Sequence, residues 1–166
     1  MGHLKDYIRT AKGGKLLQEA DDDMVELLEL LDKLGIAAWF TDPAGVIDDC
    51  NKTACAIVDR TKEETLGVGL ADELVAEKDK EGARGAMEKA LSGEDADRMF
   101  MSALTKGGSD VALSADIGPR QGSGGSITGS MVLGLKMNPD ELAFMLDKDG
   151  KVVGCNAKAA EALGME

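Results

Sequence analysis

Between positions 15 and 34, apolar residues recur at the spacing of an amphipathic helix. Two series with a seven-residue period lie three residues out of step, as in a coiled-coil seam, and they consist of Leu17, Met24 and Leu31 and of Ala20, Leu27 and Leu34. Further apolar residues widen the stripe, so we expect one side of the helix to cover its own domain and another side to meet a partner helix. The alternative is that its own domain covers the whole stripe. The residues expected at or near the partner contact are Leu17, Met24, Leu27, Leu31 and Leu34.

After Gly35 the chain alternates between short apolar runs and turn residues. The pattern predicts a pair of strands, small helices, one longer amphipathic helix and three further strands. Asn51 is a favourable N-cap for the first small helix, because its side chain can accept from free backbone amides. The predicted bounds, apart from that helix, are 36–41 and 46–49 for the strand pair, 62–67 for a helical turn, 75–91 for the long helix, and 97–104, 110–117 and 126–137 for the last strands.

The segment 37–54 returns as 142–159, at an offset of 105 residues and without a gap. Asp42, Gly45, Cys50 and Asn51 all recur at that offset. A repeat of this length is about one small domain, well beyond the roughly 20–50 residues of solenoid repeats. We therefore expect one complete unit and the opening of a second, in a fragment of a longer protein. The predicted organisation is a tail at 1–14, the amphipathic helix at 15–35, a domain at 36–137, a linker at 138–140 and the truncated second unit at 141–166.

The charge and the cysteine content narrow the choice of partner and compartment. The formal net charge is -12 and the pI is about 4.5, which disfavours binding to nucleic acid or to an anionic membrane surface. The three cysteines form no CxxC motif, which indicates a reducing compartment. Neither an apolar run of membrane-spanning length nor a signal-peptide core is present in the sequence, so we expect a cytoplasmic protein.

Five short motifs in the right order resemble those of the PAS domain family. They are the hairpin and cap of 40–51, the central turn Arg60-Thr-Lys-Glu-Glu-Thr-Leu-Gly67, the helix end Ala90-Leu-Ser-Gly93, the hairpin Leu104-Thr-Lys-Gly-Gly108 and the strand entry Gly124-Gly-Ser-Ile-Thr-Gly129. The resemblance covers 36–137 fully and 141–166 in part. It implies an α+β fold, with a five-stranded antiparallel sheet, helices crossing one face and an enclosed pocket. The family senses ligands, redox state or light, or mediates dimerisation, and passes the signal through flanking helices.

The resemblance also assigns the two faces of the first strand. Trp39 and Thr41 are expected to point into the pocket, and Ala38 and Phe40 to the outer face of the sheet, under the N-terminal helix. The pocket is predicted to be small and apolar. Its candidate lining residues are Trp39, Thr41, Leu70, Leu74, Met87, Leu113 and Leu133.

The turn at 60–67 especially resembles the light-oxygen-voltage branch, which binds flavin mononucleotide (FMN). The photoactive cysteine of that branch has no counterpart here, because the matching run reads Gly69-Leu-Ala71. The polar residues expected on the fourth and last strands are also missing, so FMN photochemistry is rejected. Haem is disfavoured because the one histidine, His3, lies outside the domain. The sequence therefore leaves the cofactor unknown, and the favoured expectation is that none is bound.

Catalytic and metal-binding signatures are weak. No Ser/His/Asp set can form, and Cys50 and Cys55 lack the histidine neighbours of a typical zinc site. Cys50 is interpreted as a small residue at a strand-to-helix corner, with a redox switch as the minority alternative. The sequence predicts a sensory or interaction module without enzymatic activity, which forms a homodimer and relays a signal to an output domain. The alternative is a sensor that binds a small ligand in an apolar pocket.

Overall fold

The structure is a computed structural model that describes residues 21–138, 144–146, 148–155, 157–162 and 164. The predicted tail and the first part of the predicted amphipathic helix, including Leu17, lie outside the described residues. In the part of the chain that is described, no helix combines the length and the apolar content that crossing a membrane requires.

Five strands form one antiparallel sheet, as predicted. They are β1 (Ala37–Thr41), β2 (Ile47–Cys50), β3 (Met99–Leu104), β4 (Asp110–Gln121) and β5 (Ile127–Lys136), in the spatial order β2-β1-β5-β4-β3. The helices are α1 (Asp21–Lys33), α2 (Lys52–Val58), α3 (Lys62–Thr65), α4 (Leu70–Glu73) and α5 (Lys80–Leu91), with 3-10 turns at Glu77–Asp79 and Ser123–Gly125. The predicted α+β class is therefore confirmed.

Apolar clusters cover both faces of the sheet. The inner cluster joins Trp39 and Ala37 to residues of α2, α4, α5 and the neighbouring strands. The outer cluster lies between α1 and the opposite face, and consists of Leu27, Leu28, Leu31, Ile36, Ala38, Phe40, Met131 and Leu133. Because successive side chains of a strand point to opposite faces, Trp39 and Phe40 separate as the alternation predicted.

The long helix begins five residues later than its apolar spacing predicted. Val75 and Ala76 are buried and pair with β3, where Val75 bridges to Ala103 and the Ala76 amide donates to the Ser102 carbonyl at 2.9 Å. Pairing with an open strand edge satisfies their backbone groups without a helix. The last strands also differ, because β4 continues through Pro119 into the predicted loop. Proline is tolerated there because β3 pairs only with residues 110–115 of β4.

The internal repeat is also a repeat of structure. The strands β6 (Phe144–Leu146) and β7 (Val152–Cys155) form a hairpin, followed by the helix α6 (Ala157–Ala162). Phe144 pairs with Cys155 as Trp39 pairs with Cys50. The register also shifts at corresponding positions, between Phe40 and Thr41 in the first hairpin and between Met145 and Leu146 in the second. This hairpin lies against the edge strand β3.

Gly129 of β5 lies close to the backbone of β1 at Thr41. Its φ is +153°, and a Cβ atom added there would lie 1.8 Å from the Thr41 carbonyl oxygen. Such a contact with backbone cannot be relieved by rotation of a side chain. Glycine is therefore required at this position of β5.

We predict that Gly129→Ala lowers the free energy of unfolding by at least about 2 kcal/mol. The control is Gly85→Ala on the exposed side of α5, where an added Cβ meets nothing within 4 Å. That change should stabilise the chain by about 0.5–1 kcal/mol, because alanine is the better helix former. Urea unfolding of both variants measures the difference, and equal stabilities would contradict the close approach of Gly129 to the Thr41 carbonyl.

Candidate functional site

A surface cavity of about 320 Å³ lies between the β1–β2 turn, α4 and α5, and we call it the turn cavity. Its lining combines apolar side chains and glycines with five polar or charged groups. The polar and charged groups are Asp42, Asp72, Arg84, Glu88 and Ser130, and the others are Pro43, Ala44, Gly45, Gly69, Leu70, Ala71, Met87 and Leu91. The mixture suits a small ligand that has both an apolar body and a polar end.

The wall formed by the β1–β2 turn is held by its first residue, Asp42. The Asp42 carboxylate accepts hydrogen bonds from the amides of Ala44 at 2.9 Å and Val46 at 3.0 Å. Gly45 follows at a φ of +82°, which favours glycine, and its carbonyl accepts from the Leu70 amide at 3.0 Å. The turn is therefore bonded to α4, so two walls of the cavity form one continuous backbone network.

Two hydroxyl groups stand where β1 meets β5 at the cavity. The Thr41 and Ser130 hydroxyl oxygens are 2.6 Å apart, and both residues are buried. Only Ser130 reaches the cavity lining. A buried hydroxyl already paired in this way is a pre-positioned donor or acceptor for a polar ligand group.

An ion pair between α4 and α5 also lines the cavity. Arg84 of α5 donates through Nε to Asp72 Oδ1 at 3.1 Å and makes a further contact through Nη2. The hydrogen bond from Arg84 and its positive charge hold the pKa of the Asp72 carboxyl below its usual range. Both side chains are exposed, so this pair contributes little to stability, and its partners are free to exchange with a charged ligand.

The seven predicted lining residues separate into three groups. Leu70 and Met87 line the turn cavity. Trp39, Leu74 and Leu113 are packed in the inner cluster and form none of its surface, while Thr41 is bonded to Ser130. The prediction for Leu133 was wrong. Leu133 pairs with Ala38 and points with it into the outer cluster, on the face opposite to the cavity.

Sequence reasoning missed the polar groups of this cavity. Ser130 belongs to the alternate positions of the last strand, which the apolar series through Met131 and Leu133 leaves on the other face. That alternation was the available signal. No local signal pairs Arg84 with Asp72, because the contact depends on how α4 packs against α5.

The predicted helix contact also requires correction. Leu27 and Leu31 are buried against Ala38, Phe40 and Met131 of their own sheet, so neither is available to a partner helix. Met24 is half-buried beside the same cluster. The apolar side chains of this region that remain exposed are Val25 at 53%, Leu30 at 42% and Leu34 at 54%.

A second cleft, of about 330 Å³, lies between α1 and α2, and we call it the thiol cleft. Its lining residues come from α1, the end of β2, α2 and α3, and they are Val25, Leu28, Glu29, Asp32, Cys50, Asn51, Lys52, Cys55 and Lys62. The Cys50 and Cys55 sulfur atoms are 3.5 Å apart. Burial, together with the neighbouring Cys55, raises the pKa of the Cys50 thiol to about 12.

Asn51 holds the frame of the thiol cleft. Its side-chain oxygen accepts from the Ala54 amide at 2.9 Å, which confirms the predicted N-cap, and also from the Ala38 amide at 3.0 Å. Its side-chain nitrogen donates to the Ile36 carbonyl at 2.7 Å. On the α1 side, Asp32 accepts from the amide and the hydroxyl of Thr53, each at 2.9 Å. These bonds connect α1, β1 and α2 at one corner.

Comparison with known proteins gives the family of this chain. The family model described as PAS fold matches residues 31–137, so the chain belongs to the PAS family, whose domains are sensory and signalling modules. No curated protein sequence matches the chain.

Three solved structures illustrate the shared fold. The PAS domain of a protein from Colwellia psychrerythraea has a TM-score of 0.59 at 19% identity, over 69% of this chain and 96% of that one. The PAS domain of an HTR-like protein from Haloarcula marismortui has a TM-score of 0.57 at 15% identity, over 71% and 100%. A light-oxygen-voltage protein from Rhodobacter sphaeroides has a TM-score of 0.57 at 10% identity, over 69% and 67%. Identities this low establish the fold alone.

We predict that Asn51→Ala costs roughly 2–4 kcal/mol, because it removes a helix cap and leaves two buried backbone groups unpaired. The control is Thr61→Ala, which removes the exposed capping box of α3. That loss should be about 1 kcal/mol, since the freed groups remain in water. Chemical denaturation compares the two variants, and a loss at Asn51 no larger than that at Thr61 would contradict the role of Asn51 as a junction.

Proposed function

We propose that this chain is the PAS module of a cytoplasmic signalling protein, with α1 as the element that passes the signal to a downstream output domain. The observation that carries the proposal is the packing of α1 on the outer face of the sheet, where Leu31 is fully buried. β1 contributes Trp39 to the inner cluster and Phe40 to the outer cluster. A change in packing on the inner face of the sheet is therefore transmitted to α1 through β1. The role proposed is sensory and not catalytic.

We propose that the chain forms a homodimer, but not through Leu27 and Leu31, which are buried on their own sheet. Val25 and Leu30 are five positions apart, about 140° around a helix, so the two exposed side chains flank the buried stripe on opposite sides. Leu30 and Leu34 are four positions apart and lie on the same side of the chain as it leaves α1. We propose that Leu30 and Leu34 meet their counterparts in a second copy.

We also propose that 141–166 opens a second PAS unit. The shared register of the two hairpins supports this, as does Gly150, which has a φ of +81° where Gly45 has +82°. In a tandem arrangement, each unit would contribute its own hairpin and the helix that follows it. The contact of the hairpin with β3 then becomes a contact between units.

A double substitution tests the dimer. We expect Leu30→Glu with Leu34→Glu to convert a dimer into a folded monomer, because it places charge in a seam that excludes water. Light scattering gives the mass and circular dichroism the fold. The matched control is Leu27→Glu with Leu31→Glu, which should unfold the domain instead. A monomeric unmodified chain would disprove the dimer.

A second candidate function is the binding of a small molecule in the turn cavity. One observation favours it. Within the described part of the chain, the buried indole N–H of Trp39 has no hydrogen-bond partner, at a cost of about 1–3 kcal/mol. Trp39 shares the inner cluster with Leu70 and Met87, which line the cavity. A ligand reaching past these two side chains could supply the missing acceptor.

Native mass spectrometry of the purified chain tests the ligand, followed by denaturing extraction to identify any mass that is bound. We expect Ala44→Trp, which adds a large side chain to the lining of the turn cavity, to abolish the adduct. Ala56→Trp makes the same change at an exposed alanine of α2, outside the cavity lining, and should leave the adduct in place. An adduct that survives Ala44→Trp would place the ligand elsewhere.

A further inference from the structure

Two free thiols meet at the corner between β2 and α2. Cys50 is the last residue of β2, and Cys55 lies one turn into α2, with a separation of 3.5 Å between the sulfur atoms. Both side chains line the thiol cleft, which opens to the surface. Sulfur atoms this close can reach the roughly 2 Å of a covalent bond after a small adjustment of the side chains and of the α2 backbone that carries Cys55.

The internal repeat separates a structural thiol from an additional one. Cys155 ends β7 and pairs with Phe144 as Cys50 pairs with Trp39, so a cysteine at this corner recurs with the hairpin. The position equivalent to Cys55 is occupied by Ala160. The need for a small residue at the corner therefore explains why Cys50 and Cys155 recur. It does not explain Cys55, because only the first unit has a cysteine at that position.

The two thiols differ in their access to a reagent. Cys50 is only 2% exposed, and burial raises its pKa to about 12, so it stays protonated at neutral pH. Cys55 is half-buried and reaches the cleft. Lys62 lines the same cleft, with its ammonium group 3.0 Å from an Asp49 carboxylate oxygen. An oxidant that enters the cleft therefore reaches Cys55 before the buried Cys50.

We propose that Cys50 and Cys55 are a redox-responsive pair that a hydroperoxide converts into a disulfide. In the first step, the Cys55 sulfur attacks the terminal peroxide oxygen and the O–O bond breaks. This gives Cys55 sulfenic acid, and the Cys55 proton leaves on the departing oxygen as the alcohol, or as water from hydrogen peroxide. In the second step, the Cys50 sulfur displaces the hydroxyl group of the sulfenic acid. The S–S bond forms, the Cys50 proton leaves with that hydroxyl as water, and a cellular dithiol restores both thiols.

The position of the pair couples its oxidation state to α1. The first residues of α2 are bonded to Asp32 of α1 through the amide and hydroxyl of Thr53. Drawing Cys55 toward Cys50 moves the α2 backbone between Thr53 and Cys55. The oxidised form therefore strains the bonds to Asp32, and α1 is the element that responds.

Peptide mapping of the full chain tests the pair directly. Trypsin cleaves after Lys52, so Cys50 falls in peptide 34–52, Cys55 in 53–60 and Cys155 in 152–158. After treatment with a few equivalents of hydrogen peroxide, we expect 34–52 and 53–60 to be joined in a species that dithiothreitol separates. The intact monomer should lose the mass of two hydrogen atoms. Hydrogen exchange should change in α1 and in the first turn of α2.

Matched variants complete the experiment. Cys55→Ala introduces the residue that the second unit has at the equivalent position, and it should abolish the cross-link. Cys155→Ala should leave the yield of the cross-link unchanged. Sulfinic acid on Cys55 without a cross-link would overturn the proposal, as would a cross-link to 152–158 or between two chains. The mapping of the unmodified chain decides these outcomes even if a variant fails to fold.

Discussion

The arrangement of this domain depends on the side-chain amide of Asn51. It is 3% exposed, and it bonds to Ile36 before β1, to Ala38 within β1 and to Ala54 in α2. A buried amide is stable only when its donors and acceptors are paired, so these three partners must occupy fixed positions. The shape of the thiol cleft and the position of α1 on the sheet both depend on these bonds. Asn156 stands at the same place in the sequence of the second repeat.

Local pattern predicted the fold well where a single element decides the outcome. The alternation in β1 separated Trp39 from Phe40, and Asn51 was identified as a cap from its residue type and its place before an apolar run. Leu133 failed because the face it occupies depends on its pairing with Ala38, nearly a hundred residues earlier in the chain. A strand's own sequence gives the spacing of its faces but does not say which face is inside.

The candidate site shows the same division. Leu70 and Met87 could be found as apolar residues near the expected pocket, whereas Arg84 and Asp72 are brought together only by the packing of α4 on α5. The seam through Leu27 and Leu31 was a correct indication of burial, but spacing alone cannot distinguish a partner helix from the chain's own sheet. The pair of Cys50 and Cys55 became evident only when the distance between the sulfur atoms was known.

The coverage of β1 on both faces has a consequence for how the sequence can vary. All five residues from Ala37 to Thr41 are buried, whereas β2 beside it exposes Asp48 and half-exposes Asp49. In a saturation-mutagenesis library selected for folded protein, β1 should form a block that rejects polar residues at every position. Its hairpin partner β2 should tolerate polar residues at its two middle positions and reject them at its two buried ends. Adaptation of this module to new stimuli would therefore avoid β1 and accumulate on the turns and helices around it.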